Sequence, residues 1–209
     1  MASRTSETVT GPRSEDALPS STASAVKIVI VGGFGVGKTT LVRSVSEIRP
    51  LTTEETMTQA SVSVDDLEGV ERKRMTTVAM DFGRISIDDE MVLYVFGTPG
   101  QQRFWFLWNG LFEGSLGAVV LVDTRRLEAS FDVLGRLEEA HTPFVVAVNA
   151  FDEAPTYSEA ELRQALDLPD AVPLLHCDAR SRESSKEVLL ALMRYLYALA
   201  TRTETAQTS

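Results

Sequence analysis

The run GGFGVGKT, Gly32 to Thr39, has the spacing G-x-x-x-x-G-K-T. Residues of these types in this order can hold a phosphate chain. Glycines let the backbone wrap anionic oxygens in conformations that a side chain would obstruct. Loop N–H groups, contributed by Gly32, Gly35, Val36, Gly37 and Thr40, and the start of the following helix then face the phosphate charge. Lys38 is spaced to reach the β- and γ-phosphates, and the Thr39 hydroxyl to bind Mg²⁺. Phe34 is bulky for such a loop. It either packs against a neighbouring segment or crowds the place where a γ-phosphate reacts.

A phosphate loop does not choose its base. The stretch VNAFD supplies Asn149-x-x-Asp152 at the end of an apolar run. A carboxylate at Asp152 can accept hydrogen bonds from guanine N1–H and the N2 amino group. Adenine offers neither donor, and an unpaired buried carboxylate is costly. Asn149 is expected to tie this loop to the phosphate loop. Ala150 follows it, so no long side-chain stem lies along the base, and Phe151 covers part of it. Further on comes Asp178-Ala179-Arg180. There the Ala179 N–H is expected to donate to guanine O6, flanked by Asp178 and Arg180.

A third stretch, YVFGTPGQQRF from Tyr94 to Phe104, ends a strand in Gly97 and places Gly100-Gln101 just beyond. Five of the chain's fifteen aromatic residues lie between Phe104 and Phe112, both tryptophans among them. Five aromatics cannot all face inward at helical spacing, so Trp105 or Trp108 is expected to be exposed in at least one state. Exposed aromatic clusters mark partner surfaces.

These residues need a scaffold. AVKIVIVGG, GAVVLVD and FVVAVN are short continuous apolar runs, as expected of strands buried on both faces. VAMDFGRISI and EMVLYVFG read as a strand pair around Asp88-Asp89, and AVPLLHC as a last strand. Helices are expected from Lys38 to about Ile48, through Leu127, Phe131, Leu134 and Leu137, and at the end through Val188, Leu192, Tyr195 and Leu199. Ser158 with Glu161 and Ser184 with Glu187 have capping-box spacing. The alternation predicts an α/β fold: a mostly parallel six-stranded sheet with one antiparallel strand and helices on both faces. In such sheets ligands bind beyond the carboxyl ends of the strands, where all three stretches fall. The polar passage from about Arg49 to Met75 is long enough for a mobile loop.

The 209 residues favour one domain, 26–201, between disordered tails at 1–25 and 202–209. A net charge of −10 leaves no broad basic footprint, which argues against nucleic acid. The single cysteine, Cys177, points to a reducing cytoplasm. The start reads as no signal peptide. Ala2 excludes myristoylation, the C-terminus has no prenylation cysteine, and no apolar run approaches the ~20 residues of a bilayer span, so no intrinsic membrane anchor is expected.

In this order, GGFGVGKT, TPGQ, NAFD and DAR resemble the Ras-like small GTPases, a P-loop NTPase fold of the small G domain type. TTVAMDFG and TPGQ resemble the bacterial branch of MglA-type polarity and actinomycete conservon GTPases. The resemblance implies a GTP/GDP switch that uses Mg²⁺ and hydrolyses GTP slowly. It places the metal-binding, γ-phosphate-sensing threonine at Thr77, with Thr76 as the second choice, Gly100 sensing through its N–H and Gln101 orienting the attacking water. The family's Asp is replaced by Gly97. Mg²⁺ is then expected to lean on Thr39, Thr77, the phosphates and water, and to affect nucleotide affinity less. Arg74 has the offset from Thr77 of a built-in arginine finger, or else is a solvated member of the basic run Arg72-Lys73-Arg74. The resemblance also implies regulatory partners at switch II, through Phe104, Trp105, Trp108 and Phe112, of the small dimeric roadblock type and met in the cytoplasm, with any membrane recruitment left to them. A pseudo-GTPase that holds nucleotide without significant turnover is the alternative reading. An ATP-using P-loop kinase is opposed by Asp152.

Overall fold

The computed structural model describes residues 24–49, 51–58, 75–101 and 107–207. Among the described residues seven strands form one sheet: β1 (Ser24–Val31), β2 (Leu51–Thr58), β3 (Met75–Ser86), β4 (Met91–Gly97), β5 (Gly117–Val122), β6 (Phe144–Asn149) and β7 (Leu174–Cys177). Their order is β2-β3-β4-β1-β5-β6-β7. All pairings from β4 to β7 are parallel, and β3 runs antiparallel to both neighbours. The six expected strands and the single antiparallel one are present. The seventh, β2, comes from LTTEETMT, within the stretch expected as a mobile loop. Its period-2 pattern is not apolar; what makes it a strand is eight successive pairings with β3, from Leu51↔Phe82 to Thr58↔Met75.

Every residue of β5 and β6 is buried, because helices cover both faces. On one face Ile28, Ile30, Val119, Leu121 and Val145 pack with Leu41 and Val42 of helix α1 (Lys38–Val45) and with Val188 and Leu192 of α5 (Arg182–Gln207). On the other, Val29, Val31, Val120 and Val146 pack with Val133, Leu134 and Leu137 of α3 (Phe131–Glu139) and with Trp108 of the short α2 (Trp108–Phe112). Alternate strand residues thus feed two cores, and the sheet edge where β1, β5 and β6 end is held rigidly from both sides.

Local details depart from the expected boundaries. Helix α1 stops at Val45, since Ser46 is extended. A 3-10 turn, Leu127–Ser130, precedes α3 and changes the phase of the apolar stripe, so Phe131 is 49% exposed. Helix α4 (Glu159–Ala165) opens with the expected capping box, Ser158 and Glu161. For α5 the cap is one turn earlier than expected. The helix starts at Arg182, the Ser181 hydroxyl accepts from the Ser184 N–H at 3.3 Å, and the Ser184 hydroxyl accepts from Asp178 N–H instead. α5 runs on to Gln207, through most of the stretch expected as a tail, and β1 begins at Ser24. Among the described residues no helix is long and apolar enough to cross a membrane.

Candidate nucleotide-binding site

The loop between β1 and α1 is shaped by its glycines. Gly37 has φ +105°, and a Cβ there would stand 2.5 Å from Asn149 Nδ2. Only glycine lets the two loops approach so closely. Lys38 is the buried cation of the loop. Its Nζ donates to Gly32 O at 2.8 Å and Gly33 O at 2.6 Å. Burial lowers its pKa to about 8, against the support of the Asp81 charge. Beside it lies a cavity of about 310 Å³ lined by Phe34, Gly35, Gly37, Lys38, Thr39, Thr40, Asp81, Thr98, Pro99 and Gly100. Gly100 is pressed close: a Cβ there would stand 2.6 Å from Lys38 Nζ and 2.8 Å from Gly33 O. Gln101, half-buried, follows it. Phe34 is 66% exposed, so it is not packed beneath a neighbouring segment.

Asp81 is the residue that motif spacing missed. It is 7% exposed, and its Oδ2 accepts from the Thr39 hydroxyl at 2.5 Å. It pairs across the ladder with Gly97, and a Cβ on Gly97 would lie 3.2 Å from Asp81 Cβ and 3.3 Å from its Oδ2. β3 therefore places a carboxylate in the space that the glycine of β4 leaves. A carboxylate thus stands beside the Thr39 hydroxyl although Gly97 carries none. Among the described residues no cluster of three or more His, Cys, Asp or Glu is arranged to hold a metal. A cation here would rest on Thr39 and Asp81 together with phosphate oxygens and water, an all-oxygen set that suits Mg²⁺. Thr77 sits in β3 opposite Thr56, four residues from Asp81 and so about 13 Å along the strand. Arg74, Phe104 and Trp105 lie outside the described residues.

The second loop cluster is braced by Asn149, 5% exposed. Its Nδ2 donates to Val36 O at 3.0 Å, and its Oδ1 accepts from Ala179 N–H at 2.9 Å. One amide thus joins the phosphate loop, β6 and the loop after β7. The Ala179 N–H, expected to face a base carbonyl, is engaged by Asn149 instead. Asp152 projects outward with its side chain 90% exposed, and Arg180 Nη1 stands 3.9 Å from its Oδ1. Arg180 is held by Asp178, through Nε to Oδ1 at 2.9 Å and Nη2 to Oδ2 at 3.1 Å. That pairing keeps the Asp178 carboxyl below the usual carboxylate range. Cys177 is buried beside Asn149, and burial pushes its thiol up to about 12, so it is an inert thiol at neutral pH.

Trp108 is 4% exposed and belongs to the core, its ring 5.6 Å from that of Phe112, which is half-buried. The expected exposed aromatic surface therefore loses Trp108 in this structure, because α2 turns it toward Val29 and Val31.

Comparison with known proteins agrees with this architecture. The crystal structure of the G domain of the T. maritima FeoB iron transporter superposes with a TM-score of 0.57 at 18% identity, covering 82% of this chain and 99% of that one. Uncharacterized protein MJ1339 of Methanocaldococcus jannaschii is 30% identical over 129 residues, 61% of this chain and 71% of that protein. The human EF-hand calcium-binding domain-containing protein 4B is 27% identical over 189 residues, 87% of this chain but only 24% of that protein's length. The likeness to the FeoB domain shows a small G-protein-like, P-loop NTPase-type fold and carries the resemblance no further toward the polarity and conservon branch. Residues 30–199 match the family described as "Conserved hypothetical ATP binding protein", and the chain belongs to that family.

Proposed function

We propose that this domain is a guanine-nucleotide switch that binds GTP and GDP with Mg²⁺ and hydrolyses GTP slowly. The observation that carries the reading is the pair of hydrogen bonds made by the Asn149 amide, one donated to Val36 O at 3.0 Å and one accepted from Ala179 N–H at 2.9 Å. It fixes the Asp152 loop against the phosphate loop, so that a base lying beyond the phosphates meets the Asp152 carboxylate. That carboxylate complements the adjacent N1–H and amino donors of guanine and has no counterpart on adenine. The family's description names ATP; the guanine reading rests on Asp152.

Lys38 and the loop amides hold the phosphates. Asp81 orients the Thr39 hydroxyl toward the cation position. Bound there, Mg²⁺ would neutralise charge on the phosphate oxygens. Gly100, against Lys38 and Gly33, is where a γ-phosphate presses the loop after β4, and Gln101 next to it positions water. Thr77, Arg74 and regulatory proteins at switch II, of roadblock type in the bacterial branch suggested by TTVAMDFG and TPGQ, complete the proposed cycle. The second reading, a module that holds nucleotide without turnover, is favoured by exposed Phe34 at the rim of the phosphate cavity.

Asp152→Asn tests the base assignment. The amide presents a donor where guanine also has one, so GDP affinity should fall roughly 10–100-fold, the loss of a charge-assisted pair, while xanthosine diphosphate, which carries an acceptor there, gains. Unchanged GDP affinity in the folded variant refutes the assignment. Multiple-turnover phosphate release from GTP separates the switch from the static module.

A further inference from the structure

The turn after β5, Asp123-Thr124-Arg125-Arg126, touches both halves of the site although it belongs to neither motif. Asp123 is 3% exposed. Its Oδ1 accepts from Arg125 Nε at 2.9 Å and from Arg125 N–H at 3.0 Å, and its Oδ2 from Arg125 Nη2 at 2.8 Å. Arg126 Nη2 stands 3.5 Å from the same Oδ2. Each guanidinium then continues to a different loop. Arg125 lies 3.8 Å from the ring centroid of Phe151, between Asn149 and Asp152. Arg126 donates to Phe34 O, in the phosphate loop, at 3.0 Å.

A planar guanidinium gripped by a fork of two oxygens has its orientation set, not only its position. A carboxylate this buried must keep its partners, because an uncompensated charge is costly. We propose that Asp123 is a positioning residue that couples the base-reading loop to the phosphate loop, through Arg125 stacked on Phe151 and Arg126 bonded to Phe34. This rests on the nucleotide reading above. Loosening either end transmits to the other, so nucleotide residence time depends on a residue that touches no nucleotide.

Asp123→Asn, Arg125→Ala, Arg126→Ala and the combination of Asp123→Asn with Arg125→Ala test it in the full chain. The arginine side chains are 40% and 49% exposed, and each single arginine variant leaves Asp123 the other guanidinium, so those variants keep the core intact. Release of a fluorescent GDP analogue should accelerate about tenfold in Asp123→Asn, the scale of one charge-assisted hydrogen bond. Combining Asp123→Asn with Arg125→Ala should change the rate much less than the two single effects summed, since both act on one path and no buried charge is left unpaired. Amide exchange gives a readout independent of nucleotide: Asp123→Asn should speed exchange in both 33–37 and 149–152, and Arg126→Ala should reach 149–152 as well. Wild-type protection in either loop of folded Asp123→Asn, or of 149–152 in Arg126→Ala, overturns the coupling. Failure of the wild type to bind GDP would instead count against the nucleotide reading, with exchange still deciding the coupling.

Discussion

Asp81 offers the sharpest perturbation, because it holds the Thr39 hydroxyl although no motif gives it a role. Replacing it with Asn keeps the shape and removes the charge. The Thr39 hydroxyl bond, 2.5 Å long to a carboxylate 7% exposed, becomes a neutral one. Charge-assisted bonds contribute about 1.5–3 kcal/mol and neutral ones about 1 kcal/mol, so about 0.5–2 kcal/mol is lost, on the order of tenfold in equilibrium terms. Little of this is screened at such burial. The assay is GDP release with and without chelator. In the wild type, removing Mg²⁺ should speed release strongly; in Asp81→Asn that ratio should shrink roughly tenfold. Gly97→Asp alone should not help. Facing side chains in a ladder usually keep their Cβ atoms about 4.5–5.5 Å apart, whereas a Cβ at Gly97 meets Asp81 Cβ at 3.2 Å, and two carboxylates would also repel. Exchanging them, Asp81→Gly with Gly97→Asp, should restore most of the ratio by supplying the carboxylate from β4. An Asp81→Asn protein with wild-type Mg²⁺ dependence would refute the reasoning.

Gly37→Ala should lower nucleotide affinity by at least an order of magnitude: its φ of +105° resists any side chain, and the Cβ would displace Asn149 from 2.5 Å; isothermal titration with GDP checks it, and unchanged affinity contradicts the packing. Lys38 gives two pH effects of opposite sign. The unfolded chain keeps this lysine at its ordinary 10.5 and the folded one at about 8. Between these values the unfolded state binds the extra proton, so stability without nucleotide should rise with pH from 8 to 10.5, by up to about 3 kcal/mol. Urea titrations should show that rise and its loss in Lys38→Met. GDP binding, which favours charged Lys38, should weaken as pH passes 8, seen as a falling affinity in titrations between pH 7 and 9.

Residues with one role at a fixed sequence offset were legible. Lys38 and Thr39 follow their glycines, and Ser158 with Glu161 caps α4, because loop and helix geometry are local. The continuous apolar runs gave β1, β5 and β6 for the same reason, since burial on both faces leaves no alternation. What depends on register was not legible. Asp81 meets Gly97 only once β3 and β4 are paired, forty-two residues from Thr39. β2 exists through its pairing with β3 rather than through its own pattern. Ala179 faces Asn149 because β6 and β7 end side by side, and the reach of Arg125 and Arg126 follows from where β5 stops. One signal was available for Asp81: an acidic residue inside an otherwise apolar strand run, beside a glycine where a carboxylate was missing.

The most direct measurement of the central claim is base choice at the intact site. Protein equilibrated with equal GDP and ADP in Mg²⁺, re-isolated and denatured, releases its nucleotide for identification by chromatography. GDP alone is the predicted product, and its loss in Asp152→Asn should accompany it. Recovery of ADP in equal or greater amount would contradict the guanine assignment and turn the account toward the adenine nucleotide named in the family's description.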